Sequence, residues 1–243
     1  FEDYRDEQAV RALIARGEAH AYRVVALLHL DHRFPAEAHQ AAELSLAALG
    51  PPETIRMADR EECALSQLAL AAILRLTPEQ SRLTMAEMRV RAALSHLQHL
   101  GGVDRLVSAG YRELAEVYAT WAEHHGDAET FLSRAAKAMT ESVAAMHATF
   151  DRRSEARLLD RQAEILMTLG EHGERQAAIL TELGHDTVAA EIVQRCVAVY
   201  TSAEQALHRS ASIAPNHDHT EMVARVQHRL TDIRSGRSTL FAS

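Results

Sequence analysis

Residues 127–150, DAETFLSRAAKAMTESVAAMHATF, place Phe131, Ala135, Met139, Val143, Met146 and Phe150 at steps of three or four. That spacing puts all six on one stripe of a long amphipathic helix, because an α-helix returns to the same face every 3.6 residues. The preceding segment repeats the pattern with Val107, Tyr111, Leu114, Tyr118 and Trp121. An aromatic stripe at helical spacing belongs to a core. No stretch alternates with period two between turns, so strands are not expected.

Composition agrees with helix throughout. Five prolines and ten glycines are spread over 243 residues, and Ala, Leu, Arg and Glu are abundant. The breakers divide the chain into about eleven helices, with breaks near Gly17, Phe34-Pro35, Gly50-Pro51-Pro52, Thr77-Pro78, Gly101-Gly102, Gly126-Asp127, Phe150-Asp151, Gly170, Gly184 and Pro215-Asn216. Short connections imply antiparallel helical hairpins. No polar linker interrupts them, and one domain over 1–243 is expected: an N-terminal helix over 1–17, hairpins over 18–235 and a frayed tail over 236–243.

Charge and cysteine usage limit the function classes. A formal charge of −8 argues against a general nucleic-acid binder, which needs a basic face. Lys137 is the only lysine, the usage of a GC-rich, bacterial genome. Cys63 and Cys196 form no CxxC pair and are expected as small buried residues in a reducing compartment. The longest apolar run, ALSQLALAAIL (64–74), is interrupted by Ser66 and Gln67 and is too short to span a bilayer. A cytoplasmic setting follows as an expectation. The chain opens on Phe1 rather than methionine, and is expected to be a piece of a longer protein.

The hairpins can be compared with one another. Tyr111-x2-Leu114-Ala115-x2-Tyr118 pairs large residues with a small one that admits a neighbouring helix. Ala21-x2-Val24-Val25-x2-Leu28, Leu65-x2-Leu68-Ala69-x2-Ala72, Leu159-x2-Gln162-Ala163-x2-Leu166 and Val193-x2-Cys196-Val197-x2-Tyr200 follow it more loosely. These segments resemble the first-helix signature of the tetratricopeptide-repeat (TPR) family, and Ala38, Ala42, Ala135 and Ala138 supply small second-helix residues as that family's do. The small positions lie 44, 46, 48 and 34 residues apart, against a usual unit of about 34. The resemblance implies an all-α, right-handed TPR-like superhelix with lengthened units. It also implies ligands in a concave groove lined by first helices, here Tyr22, His29, Arg112, Glu116, Arg157, Asp160 and Glu164. Those positions carry both charges, which suits a peptide, a partner protein or a small polar ligand.

No phosphate-loop, dinucleotide, nucleophile-elbow or HExxH motif is present, so no catalytic residue and no cofactor is assigned. Fifteen histidines remain to be explained. In HLDH (29–32), His29 and His32 share a helix face, and a hairpin turning near Phe34 would bring His39 opposite His29. Three imidazoles suit zinc with one open position. The simpler account packs His32 at the hairpin corner, continuing Ala21, Val25 and Leu28. HLQH (96–99) reads as a partly positive helix end. EHHGD (123–127) reads as a helix end and turn, and Asp218-x-x-Glu221 as a capping box. Protonating all fifteen histidines would move the formal charge from −8 to +7, so a pH switch is physically available. The leading expectation is a non-enzymatic binding and regulatory module, without membrane or direct nucleic-acid contact. The alternatives are a His-cluster metal protein and a dimerisation module.

Overall fold

The computed structural model describes residues 2–51, 54–215 and 219–235, the first few by backbone alone. Nine α-helices lie among them: α1 (Glu2–Asp31), α2 (Pro35–Leu49), α3 (Arg60–Arg75), α4 (Gln80–Leu97), α5 (Asp104–His124), α6 (Ala128–His147), α7 (Arg152–Glu182), α8 (Asp186–Ile213) and α9 (Thr220–Arg234). A 3-10 turn at Met57–Asp59 precedes α3, and no strand occurs among the described residues.

The count is nine rather than eleven because two glycines do not break their helices. Gly17 lies inside α1, and Gly170 inside α7. A Cβ at Gly170 would stand 2.6 Å from the Tyr200 ring, so this glycine serves helix approach rather than chain reversal. The other connections turn as their residues demand. Gly50, Gly102 and Gly184 adopt positive φ, and Arg33, Asp127 and Phe150 take the same left-handed region. Pro35 opens α2 at its first turn, where no N–H is needed. Asp151 caps α7 by accepting from the Ser154 N–H at 3.2 Å and the Ser154 hydroxyl at 3.0 Å. Asp218, the expected cap of α9, and the tail 236–243 lie outside the described residues.

The chain divides into two compact units, Phe1–Thr120 and Trp121–Ser243, with the boundary inside α5. In the first unit α1 packs on α2 and α3, and α3 on α4. Leu70, Leu74, Leu83, Val90 and Leu97 fill its core. Ser45 of α2, fully buried, donates to the Ala19 carbonyl of α1 at 2.7 Å, and Arg23 of α1 donates to Glu62 of α3 at 2.6 Å. In the second unit α7 packs on α6 and α8, and α9 on α8. Met139, Leu159, Leu207 and Val226 are fully or almost fully buried there, and Trp121 stacks on Phe131 at 4.8 Å. Ser210 of α8 repeats the serine pin, donating to the Ala156 carbonyl of α7 at 3.1 Å.

The compared segments divide accordingly. Ala69, Ala115 and Ala163 are buried on α3, α5 and α7, whereas Val25 of α1 is 41% exposed. The fifth segment, 193–200, falls on α8, the second helix of the α7–α8 hairpin, because α7 runs unbroken through Gly170. Ala38 and Ala42 are buried on α2, and Ala135 and Ala138 on α6.

Candidate functional site

Unit two carries a run of charged and polar contacts along α7. Glu155, in the first turn of α7, is fully buried, and three half-exposed basic side chains converge on it. His147 Nδ1 lies 2.9 Å from one oxygen, the Arg209 guanidinium donates to the same oxygen at 2.5 Å, and Arg152 donates to the other at 3.2 Å. Burial pushes the Glu155 carboxyl up, but the hydrogen bonds and charges of His147 and Arg209 outweigh it and hold it below the usual carboxylate range. The cluster ties the end of α6, the start of α7 and the end of α8 together.

One turn further, Asp160 faces His219 at 3.3 Å, and His219 Nε2 lies 3.5 Å from Ser210 Oγ. This is the connectivity of an acid–base–nucleophile relay, but the chemistry does not follow. Ser210 is fully buried and spends its proton on the Ala156 carbonyl, so no substrate reaches it. The chain of contacts fastens the start of α9 to α7.

Two more bridges continue along the same pair of helices. Arg225 donates to Glu171 at 2.5 Å, and Arg229 lies 3.6 Å from Glu174. Because partners rise together from Asp160–His219 to Glu174–Arg229, α7 and α9 run parallel. Between these bridges lies a cleft of about 390 Å³, lined by Glu164, Met167 and Thr168 of α7 and Glu221, Met222 and Arg225 of α9. Met167 is buried and Met222 half-buried, and Glu164, Thr168, Glu221 and Arg225 are exposed. Glu164 is shared with Arg161 at 2.8 Å. The cleft is concave, has apolar sulfur-bearing walls between charged residues, and falls in the size range of ligand pockets.

The seven groove residues read from sequence are divided between the two units. Arg157, Asp160 and Glu164 share α7: Glu164 lines the cleft, Asp160 holds His219 beside it, and Arg157 is exposed. Tyr22 and His29 lie on α1, and Arg112 and Glu116 on the part of α5 in the first unit. Tyr22 is 39% exposed, His29 meets Phe34 edge-to-face at 6.3 Å, Arg112 is exposed and Glu116 half-buried. Met167, Glu221, Met222 and Arg225 went unread, because α9 reaches α7 only through tertiary packing. A readable signal existed in Glu171 and Glu174 on one helix against Arg225 and Arg229 on another.

The histidines separate too. His32 is exposed, and His39 pairs with Glu43 at 3.4 Å. Among the described residues no three His, Cys, Asp or Glu side chains gather to hold a metal ion, and His29, His32 and His39 are no exception. The corner packing also differs from expectation, since Val25 and Leu28 are exposed beside His32. His96 is half-buried, and burial followed by the Arg60 charge lowers its pKa, which disfavours the positive form that a helix-end role would use. Both cysteines are buried and free, their thiols pushed up to about 11, mainly by burial. No helix among the described residues is long and apolar enough to cross a membrane.

No family model matches this chain, and no curated protein matches its sequence.

Proposed function

We propose that the chain is a non-enzymatic binding module, a TPR-like helical-repeat scaffold that takes a peptide or small polar ligand between α7 and α9. The observation that carries this reading is the α7–α9 cleft, with Met167 and Met222 set among Glu164, Glu221 and Arg225. Methionine adapts its shape to varied apolar groups, and charges of both signs around it select orientation. Parallel first helices bridged across their second helix are the arrangement that TPR-like grooves use, which supports the family resemblance. The module serves as the sensing or interaction part of a larger bacterial, cytoplasmic regulator. Ligand spanning α7 and α9 favours the arrangement in which the two are closest, and the output elsewhere responds to that population shift.

A thermal-shift panel of mixed-charge hexapeptides, each holding one Leu or Met beside an Arg or Glu, tests the reading. Binding peptides raise the melting temperature of the wild type, and Met222→Glu abolishes the rise. A rise that persists in Met222→Glu, or no rise with any peptide, rejects the cleft as the site.

A further inference from the structure

Helix α1 turns its small residues inward and its large apolar ones outward. Ala19 and Ala26 are fully buried against the rest of the first unit, and Arg23 joins them through Glu62. The opposite face carries Val10 (56% exposed), Ile14 (55%), Gly17, Ala21, Val24 (39%) and Leu28 (53%). These six recur at alternating steps of four and three, the seam of a two-stranded coiled coil. Leu13 and Val25 flank the seam, 62% and 41% exposed. No charged residue interrupts the seam between Val10 and Leu28.

The seam is a palindrome in size: large, large, small, small, large, large. Laid antiparallel on a copy of itself about Ala19, Val10 meets Leu28, Ile14 meets Val24 and Gly17 meets Ala21. A two-fold interface requires this self-matching, since one patch must serve both partners. The small central pair lets the backbones approach, and a Cβ at Gly17 would meet nothing within 4 Å in the single chain. The exposed side chains make a patch as large as the few hundred Å² at which a monomer's apolar patches top out. Two of them together approach the roughly 1,000 Å² that a specific interface needs.

We infer that α1 is a dimerisation surface whose partner is a second copy of this chain, paired antiparallel through Val10, Ile14, Gly17, Ala21, Val24 and Leu28. This does not depend on the α7–α9 cleft, which lies in the other unit.

Sedimentation velocity of the full chain at micromolar concentration tests it, with far-UV circular dichroism as the check on folding. The wild type sediments at about twice its 26.9 kDa chain mass. The Ile14→Glu/Val24→Glu variant sediments as a single chain with unchanged helicity. Polarity is read by oxidative cross-linking: Val10→Cys alone gives no covalent dimer, whereas Val10→Cys mixed with Leu28→Cys does. Efficient cross-linking of Val10→Cys to itself overturns the antiparallel arrangement. A monomeric wild type, or a dimer that survives the double substitution, overturns the surface. Should the double variant lose its helicity, Gly17→Gln, placed in open space at the seam's centre, replaces it and halves the mass if the inference holds.

Discussion

The Tyr200 hydroxyl donates to Glu174 at 2.5 Å while its ring lies across Gly170, where a Cβ would come within 2.6 Å of it. Tyr200 is fully buried, so the ring cannot swing into solvent, and its hydroxyl is fixed at the far end. Burial, and then the Glu174 carboxylate, push the tyrosine's pKa up, which keeps the hydroxyl a donor at every ordinary pH. Gly170 therefore sets how closely α7 and α8 pack, and the helices that line the cleft inherit that spacing.

Two glycine substitutions with opposite outcomes check this. Gly170→Ala forces the Tyr200 ring or α7 to move and lowers stability by about 1–3 kcal/mol. In the monomeric Ile14→Glu/Val24→Glu background, where position 17 faces open space, Gly17→Ala removes backbone entropy and raises stability by roughly 0.5–1 kcal/mol. Thermal melts of each variant beside its parent protein read both signs.

The Glu155 cluster gives an acid-side prediction. A carboxylate whose folded pKa is depressed contributes stability that is present above its ordinary value of 4.5 and is lost as pH falls through the folded value. Glu155→Gln lowers stability at neutral pH by about 1–2 kcal/mol, less than a fully buried pair because its basic partners stand half in water. The deficit shrinks on acidification below 4.5. Melting temperature against pH for both proteins shows the curves converging, and parallel curves would remove Glu155 from the acid response.

Glu113 has the reverse sign. Burial pushes its carboxyl above the usual range despite Arg75, which donates to it at 2.8 Å. Arg75→Leu leaves that buried charge poorly compensated and costs about 1–3 kcal/mol at neutral pH. Because the folded state then takes up a proton more readily, the cost falls as pH is lowered toward the raised pKa. Chemical denaturation at two pH values on either side of that range measures the difference.

The thiols offer a check on packing. With both pushed up to about 11 and the cysteines buried, neither Cys63 nor Cys196 reacts quickly with an aromatic disulfide reagent at neutral pH. In denaturant both react at once. A fast native phase would place one cysteine at the surface.

Helix type was legible in the sequence wherever a stripe met a core. Ala135, Met139 and Val143 are buried as the opening segment's spacing requires, while Phe150 lies off the stripe, in the turn beyond α6, at positive φ and 80% exposed. The helix count was less legible, because a glycine that ends a helix and one that admits a tyrosine ring look alike until Tyr200 is placed. Val24, Val25 and Leu28 carry a core pattern yet stand exposed, since the face α1 buries is the alanine face. Glu164 of the cleft, and Asp160 beside it, were readable as polar positions along one helix. Met222 and Arg225 were not, since they meet α7 only after α8 has turned the chain back.

Hydrogen exchange, measured on the full chain with and without the tightest-binding hexapeptide of the panel, tests the binding role most directly. The cleft account predicts added protection confined to about residues 160–171 of α7 and 219–229 of α9, with Tyr22→Ala and Arg112→Ala binding unchanged. Protection centred on α1 and α5 instead, with affinity lost in those two variants, would contradict it.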